Sequence, residues 1–268
     1  MNPTLRRVSG LMLLLLIMAC AFAPLLANHD PSVYYLDSAG MAPCRKFYLG
    51  TDSLGRDIFS LLLFGGRTSL LIGFLSALLS ILIATVYGSV SGLLPSWADA
   101  IMMRIAAIAG SIPSVLTALF VASLFRAQSI VSVTLVIGCT GWFSMARLIR
   151  GEVRQLRARP YMEWARLTRL SHTAVVTRHL MPNILPTITY AAVTTVGACI
   201  TAEATLSFLG LGLPVDEPSI GSMLANANAA LLTGEWWSVV FPGLFLVVLL
   251  FCLASLTKRN PYQKSEQS

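Results

Sequence analysis

Six uninterrupted apolar runs constrain this chain more than any other feature of its sequence. None of them contains Asp, Glu, His, Lys or Arg, and each approaches or exceeds the ~20 helical residues that cross a hydrocarbon core. The runs cover residues 8–27, 68–94, 105–125, 127–146, 184–202 and 238–257. Inside a bilayer the backbone must satisfy its own hydrogen bonds, which favours helix. The sequence therefore predicts an all-α membrane protein with six transmembrane helices.

The first run has a second interpretation, a secretory signal peptide, because Arg6 and Arg7 precede it. The run continues to Ala27, which is too long for the apolar core of a signal peptide, and it lacks a clear small-residue cleavage site. The residues up to Cys20 faintly resemble a lipoprotein cleavage motif, but the apolar run continues past this cysteine. We therefore interpret the run as an uncleaved first helix.

The charges of the chain are few and unevenly distributed. Charged residues make up 12% of the sequence, against about a quarter in a typical soluble domain. The net charge of +7 would suit a nucleic-acid partner, but its distribution follows membrane topology instead. If the N-terminus is cytoplasmic, 14 of the 19 Lys and Arg residues fall in cytoplasmic segments. The positive-inside rule thus predicts that both termini are cytoplasmic, with lipid and not nucleic acid around the chain.

The residues that usually bind metals or catalyse reactions are scattered along the chain. The five cysteines form no CxxC pair, and the three histidines do not cluster, so we predict neither a zinc site nor a disulfide framework. No Gly-x-x-x-x-Gly-Lys-Ser/Thr string is present to cradle a nucleotide. A membrane-embedded enzyme would need acid, base or nucleophile clusters, which the six runs lack. We predict no catalytic residue, no metal and no bound cofactor.

Three connections between the runs are long enough to carry function. Two are predicted to lie outside the membrane, residues 28–67 and 203–237, and one in the cytoplasm, residues 147–183. Within the second outer segment, residues 219–232 are predicted to form a reentrant or half-buried helix. Pro113 lies inside the third run and should kink that helix.

The cytoplasmic connection is predicted to contain a short helix. Pro160 suits a first helical turn, and Glu163 in that turn complements the positive end of the helix dipole. Tyr161, Trp164 and Ala165 then share one face. A helix with an aromatic face and basic flanks can lie on anionic lipid, or it can insert into a partner protein. The residue pattern alone leaves both alternatives open.

This segment resembles the cytoplasmic coupling loop, the so-called EAA loop, of ABC importer permeases, and in particular the peptide and nickel transporter branch. The positions that match the motif of that branch are Tyr161, Glu163, Ala165, Arg166, Arg178, His179, Pro182 and Asn183. Two positions depart from it: Trp164 stands where the alanine pair is expected, and Arg169 replaces the usual loop glycine. The resemblance implies that these ten residues couple the chain to an ATPase.

Two outer segments resemble the same branch. The string Leu49-Gly-Thr-Asp-Ser-Leu-Gly-Arg-Asp57 is typical of the permease subunit that has the longer first loop. A role in docking partners is predicted for Gly50, Thr51, Asp52, Gly55, Arg56 and Asp57. The second match covers residues 203–224, with Ile220 where the family has tryptophan, while residues 258–262 match the family's C-terminal motif poorly.

Glu203 and Ser207 are candidate pathway residues within that second match. Glu203 follows Asn183 by 20 positions. At a rise of about 1.5 Å per residue this places it roughly 30 Å along a helix, near the outer edge of the bilayer. Charged residues near a span often act in transport, but they also snorkel or cap turns. A structural role is favoured for Glu203, and substrate contact is the alternative.

The resemblance implies a type I ABC importer permease fold in a bacterial inner membrane. We expect an N-terminal helix and outer loop over residues 1–67, a permease core over 68–257 and a cytoplasmic tail over 258–268. The implied partners are a second permease in a heterodimer, two cytoplasmic ATPases that bind ATP and Mg²⁺, and an extracytoplasmic substrate-binding protein. The chain itself would not be an enzyme. The substrate would be a peptide, nickel or a metal chelate; a stand-alone secondary transporter or channel is the alternative function.

Overall fold

The computed structural model describes residues 3–125, 128–158, 180–214, 216–230 and 233–257. Within these ranges the regular structure is helical, apart from one isolated bridge between Thr51 and Asp57. The helices are α1 Pro3–Ala21, α2 Ala23–Leu26, α3 Ile58–Leu93, α4 Ser96–Ala109, α5 Ser114–Phe125, α6 Ile130–Thr140, α7 Phe143–Arg157, α8 Met181–Phe208, α9 Ile220–Ala230 and α10 Trp237–Thr257. The predicted all-α fold is confirmed.

Four of these helices are long and apolar enough to cross a membrane alone: α1, α3, α8 and α10. Two bent pairs pass the same test together, α4 with α5 at 75° and α6 with α7 at 47°. If each bent pair is one span, the described part of the chain holds six spans, the number that the apolar runs predict.

The second predicted span begins earlier in the structure than in the sequence interpretation. α3 starts at Ile58, ten residues before the run at 68, because the side chain of Asp57 caps its first turn by accepting from the Ser60 N–H. Arg67 therefore lies inside the helix, where it is exposed. The predicted border at residue 67 falls within this helix, and the division of the chain into three parts stays a prediction.

The third and fourth spans are broken. The kink predicted at Pro113 is a complete interruption between Ala109 and Ser114, and the fourth run is interrupted after Thr140. The helix that follows, α7, continues to Arg157 through residues predicted to be cytoplasmic connection. It remains helical because it is amphipathic, with one apolar face buried against α3 and α8.

α3 lies at the centre of the bundle and packs against α6, α7 and α8. Small residues allow these close approaches. A Cβ at Gly92 would stand 2.7 Å from the Val153 side chain on α7, and one at Gly138 would stand 2.7 Å from Leu79. Glycines at these contacts therefore allow α3 to pack closely against α6 and α7.

The last part of the described chain runs through α8, α9 and α10. α8 extends to Phe208, so Glu203 lies within the helix and not beyond it. The helix predicted over 219–232 is observed as α9, Ile220–Ala230, which packs on α8 and α10. The predicted tail, residues 258–268, lies outside the described residues.

Candidate functional site

A cavity of about 390 Å³ opens between α5, α6, α7 and α8. Small and hydroxylated side chains dominate its lining, and no charged side chain belongs to it among the described residues. The lining is Ser114, Ala118, Ile137, Thr140, Gly141, Ser144, Met145, Leu148, Ala191, Thr194, Thr195, Ala198, Cys199 and Ala202. The volume lies within the range of small-molecule sites, which run from about 300 to 1,000 Å³.

Three threonine hydroxyls of this cavity donate within their own helices. Thr194 and Thr195 both donate to the carbonyl of Ala191, at 2.7 and 2.8 Å, and Thr140 donates to the carbonyl of Val136 at 2.8 Å. Their oxygens retain lone pairs that can accept from a passing N–H group. The cavity thus offers a neutral, weakly polar wall, which suits passage better than tight retention of a charged group.

The two candidate pathway residues do not line this cavity. Glu203 is fully buried, and its carboxylate accepts from the Ser69 hydroxyl at 2.6 Å and from the Ser207 hydroxyl at 2.8 Å. The Ser69 oxygen in turn accepts from the backbone N–H of Ile220 at 3.2 Å. Their side chains join α8 to α3 and to the start of α9, as the favoured structural role of Glu203 predicts, and a pathway role for Glu203 and Ser207 stays a prediction.

The outer motif folds into a tight turn built on two glycines. Gly50 and Gly55 have φ values of +80° and +77°, and a Cβ at Gly55 would collide with the backbone carbonyl of Tyr35. Within the turn, Asp52 accepts from the Arg56 backbone N–H and from Arg56 Nε, both at 2.8 Å. The carboxylate therefore holds the turn closed through both its backbone and its side chain.

The same motif fastens the outer loop to two helices. Asp57 accepts from the N–H and hydroxyl of Ser60 in the first turn of α3, at 3.1 and 2.6 Å. The carbonyl of Thr51 accepts from Trp237 Nε1, at the start of α10, at 3.1 Å. The motif side chains Thr51, Asp52, Arg56 and Asp57 are buried within the chain.

This burial limits which part of the turn can meet a partner. Ser53 and Leu54 at its tip are exposed, whereas the motif side chains on either side are not. The docking role of the six residues stays a prediction, and the two exposed tip residues are the ones that a partner would touch directly.

Most of the predicted coupling residues cannot be compared with the structure. Tyr161, Glu163, Trp164, Ala165, Arg166, Arg169, Arg178 and His179 lie outside the described residues. Pro182 and Asn183 are in the first turn of α8, where a proline is tolerated because its missing N–H would have no helical partner.

A charged cluster at the junction of α3, α4 and α7 escaped the sequence interpretation. Asp99 is buried on α4, and its carboxylate binds the side chains of Ser91, Arg150 and Arg154. The available signal was a lone acidic residue between positions 58 and 151, together with arginines at i, i+4 and i+7 from 150 to 157.

Comparison with known proteins places the chain in a family. Residues 84–260 match the family described as binding-protein-dependent transport system inner membrane component. The oligopeptide transport system permease protein OppC of Bacillus subtilis is 34% identical over 92% of this chain and 80% of its own length. The dipeptide permease DppC of the same organism is 32% identical, covering 91% and 76%, and the glutathione permease GsiD of Pectobacterium atrosepticum is 34% identical, covering 91% and 82%.

These matches confirm the resemblance that the cytoplasmic and outer motifs indicated, and they identify a permease subunit that is not itself an enzyme. The several apolar helices agree with a multi-pass membrane protein. The chain belongs to the family of inner membrane permease components of binding-protein-dependent ABC importers.

Proposed function

We propose that this chain forms one half of the translocation pathway of an ABC importer that carries peptides. The observation that carries the proposal is the neutral cavity between α5, α6, α7 and α8. A peptide presents backbone N–H and C=O groups along its whole length, and the hydroxyl oxygens of Thr194 and Thr195 can accept from such groups. A wall without charge would not discriminate strongly among peptide side chains.

The names of the relatives support a peptide over a metal. The relatives described above are named for oligopeptide, dipeptide and glutathione transport. Proteins bind divalent metal ions through carboxylate, imidazole or thiolate ligands. The described residues contain no group of three such side chains that could bind a metal ion. Nickel or a metal chelate as cargo stays a prediction without support from these observations.

The proposed assembly pairs the chain with a second permease in a heterodimer, with two ATPases in the cytoplasm and with a substrate-binding protein outside. ATP and Mg²⁺ would bind to the ATPases, whose grooves would receive the coupling helix predicted around Tyr161, Glu163 and Trp164. We place both termini in the cytoplasm of a bacterial cell. Membership in an importer family supports such an assembly without fixing its composition.

The pathway proposal is tested by filling the cavity. Ala198→Trp introduces a large side chain into the lining, while Ala254→Trp makes the same change at an exposed position of α10, outside the cavity. In proteoliposomes with the partner subunits, Ala198→Trp should abolish uptake of a labelled peptide while the complex still assembles. The control should transport normally. Normal uptake by Ala198→Trp would show that peptides take another route.

The same preparation tests the alternative of a stand-alone transporter or channel. Proteoliposomes that contain the permeases without the ATPase subunits should show no uptake of the labelled peptide. Uptake in their absence would contradict the importer mechanism.

A further inference from the structure

We propose that Asp99 is a positioning residue that fastens α7 to the corner between α3 and α4, so that the segment after Arg157 moves these helices as one unit. The inference rests on the proposed function, in which residues 159–179 contact an ATPase. It assigns a mechanical role to a cluster that lies apart from both the cavity and the coupling motif.

The carboxylate of Asp99 binds groups from two other helices. It accepts from the Ser91 hydroxyl of α3 at 2.6 Å and from Arg150 Nε of α7 at 2.9 Å. Its second oxygen accepts from Arg150 Nη2 and lies 2.8 Å from Arg154 Nη2. The arginine fork of Arg150 thus grips both oxygens, which fixes its orientation as well as its distance.

A third arginine of α7, Arg157, completes the attachment. Arg157 Nη1 lies 2.7 Å from the carbonyl oxygen of Leu93, at the last residue of α3, and 3.4 Å from those of Gly92 and Leu94. The last carbonyls of a helix lack intrahelical partners, so a cation there satisfies them and complements the negative end of the helix dipole. α7 is therefore held to the corner at two successive points.

The surroundings make Asp99 the weak point of this attachment. Its side chain is 2% exposed, whereas those of Arg150 and Arg154 are 28% and 39% exposed. One buried carboxylate faces two cations, so its removal leaves both arginines without their counter-charge. Both arginines are partly exposed, so water can solvate them once the carboxylate is gone, and the attachment is lost without leaving a buried unpaired charge.

The position of the cluster connects the predicted coupling segment to the cavity. α7 ends at Arg157, directly before the residues that carry the coupling motif. At its other end α7 supplies Ser144, Met145 and Leu148 to the cavity lining. The Asp99 contacts add a polar attachment to α3 and α4 in the half of α7 nearest the coupling segment, beyond the apolar packing of α7 on α3 and α8. The contacts of Asp99 on α7 therefore lie between the cavity-lining residues of this helix and its end at Arg157.

The test measures peptides transported per ATP hydrolysed by the complete reconstituted importer. Asp99→Asn keeps the size of the side chain and removes its charge. Arg154→Gln removes the more exposed partner and leaves the Arg150 fork intact. Arg147→Gln removes an exposed arginine of the same helix that does not contact Asp99. The ratio is normalised to assembled complex, so a loss of folded protein alone does not change it.

We expect Asp99→Asn to bind the ATPase subunits as the unmodified chain does, but to lower the ratio by about fivefold, within the range seen for mutations that alter coupling between sites. Arg154→Gln should lower it less, and Arg147→Gln should not change it. An unchanged ratio for Asp99→Asn overturns the inference. If that variant does not accumulate, Arg154→Gln decides: a reduced ratio supports the tether and an unchanged one overturns it.

Failure of the proposed function would look different from failure of this inference. In one outcome, the unmodified chain neither co-purifies with ATPase subunits nor transports peptide. That result would overturn the proposed contact between residues 159–179 and an ATPase, and with it the role of Asp99. An unmodified chain that does both, alongside an Asp99→Asn variant with a normal ratio, overturns the tether alone.

Discussion

The Glu203 carboxylate accepts a 2.6 Å hydrogen bond from the Ser69 hydroxyl, which joins α8 to α3 across 134 residues of sequence. Both residues are fully buried, and Ser69 also accepts from the first backbone N–H of α9. This bond explains why an acidic residue occurs at the end of an otherwise apolar run. It fixes three helices at one point.

Replacing Glu203 should therefore lower the stability of the chain, and not act through direct contact with the substrate. Glu203→Ala leaves two buried hydroxyls without their acceptor and opens a void, which we expect to cost about 2–4 kcal/mol of unfolding free energy. Glu217→Ala, at an exposed position, should cost little. The measurement is thermal unfolding of the detergent-purified chain. Loss of peptide uptake at unchanged unfolding temperature would instead favour substrate contact by Glu203.

Gly55→Val should loosen the outer loop. A β-branched residue at a φ of +77° is strained by about 1–3 kcal/mol, and its Cβ would also collide with Tyr35. Gly234→Val, at a φ of +83° with open space around it, isolates the strain from the collision. We expect Gly55→Val to reduce transport and to expose the loop to protease, while membrane insertion stays intact. Normal peptide uptake by Gly55→Val would show that the motif serves only as a passive linker.

The predicted orientation is tested by cysteine labelling of intact cells. Ser53 is the better outer position, because the neighbouring Asp52 is buried. In a background without the exposed cysteines Cys44 and Cys139, an impermeant reagent should label Ser53→Cys and not Ser171→Cys. The reverse pattern would contradict the orientation derived from the positive-inside rule.

Glu163→Ala separates the two interpretations of the cytoplasmic helix. If the helix inserts into an ATPase groove where Glu163 pairs with a basic group, losing that pair should cost about 2–5 kcal/mol, or roughly 30-fold or more in affinity. If it lies on anionic lipid, removing an acid should strengthen membrane attachment instead. Co-purification with the ATPase and its stimulation by loaded binding protein are the measurements. Unmodified association in the variant would contradict the coupling role.

Hydropathy and motif spacing are enough to predict the class, the helical content and the family of this protein. A run of apolar residues without charge is a local property, and the bilayer admits few backbone solutions for it, so the spans follow from hydropathy. The outer and cytoplasmic motifs are likewise recognisable from the fixed spacing of residues that lie close together in the sequence. Even the interruption at Pro113 follows from a single residue, although its 75° angle does not.

The roles of the isolated polar residues depend on contacts that form only when the helices pack. Asp99 and Arg150 are 51 positions apart, and nothing in either neighbourhood indicates that they meet. Glu203 was placed near an edge of the membrane by counting along a helix, but the count does not tell which face of that helix packs against Ser69. The end of α7 is likewise not predicted, because its arginines are typical of a loop. The segment is helical because its apolar face packs against α3. Hydropathy sums over neighbours in the chain, whereas a buried charge takes its role from residues that packing alone brings together.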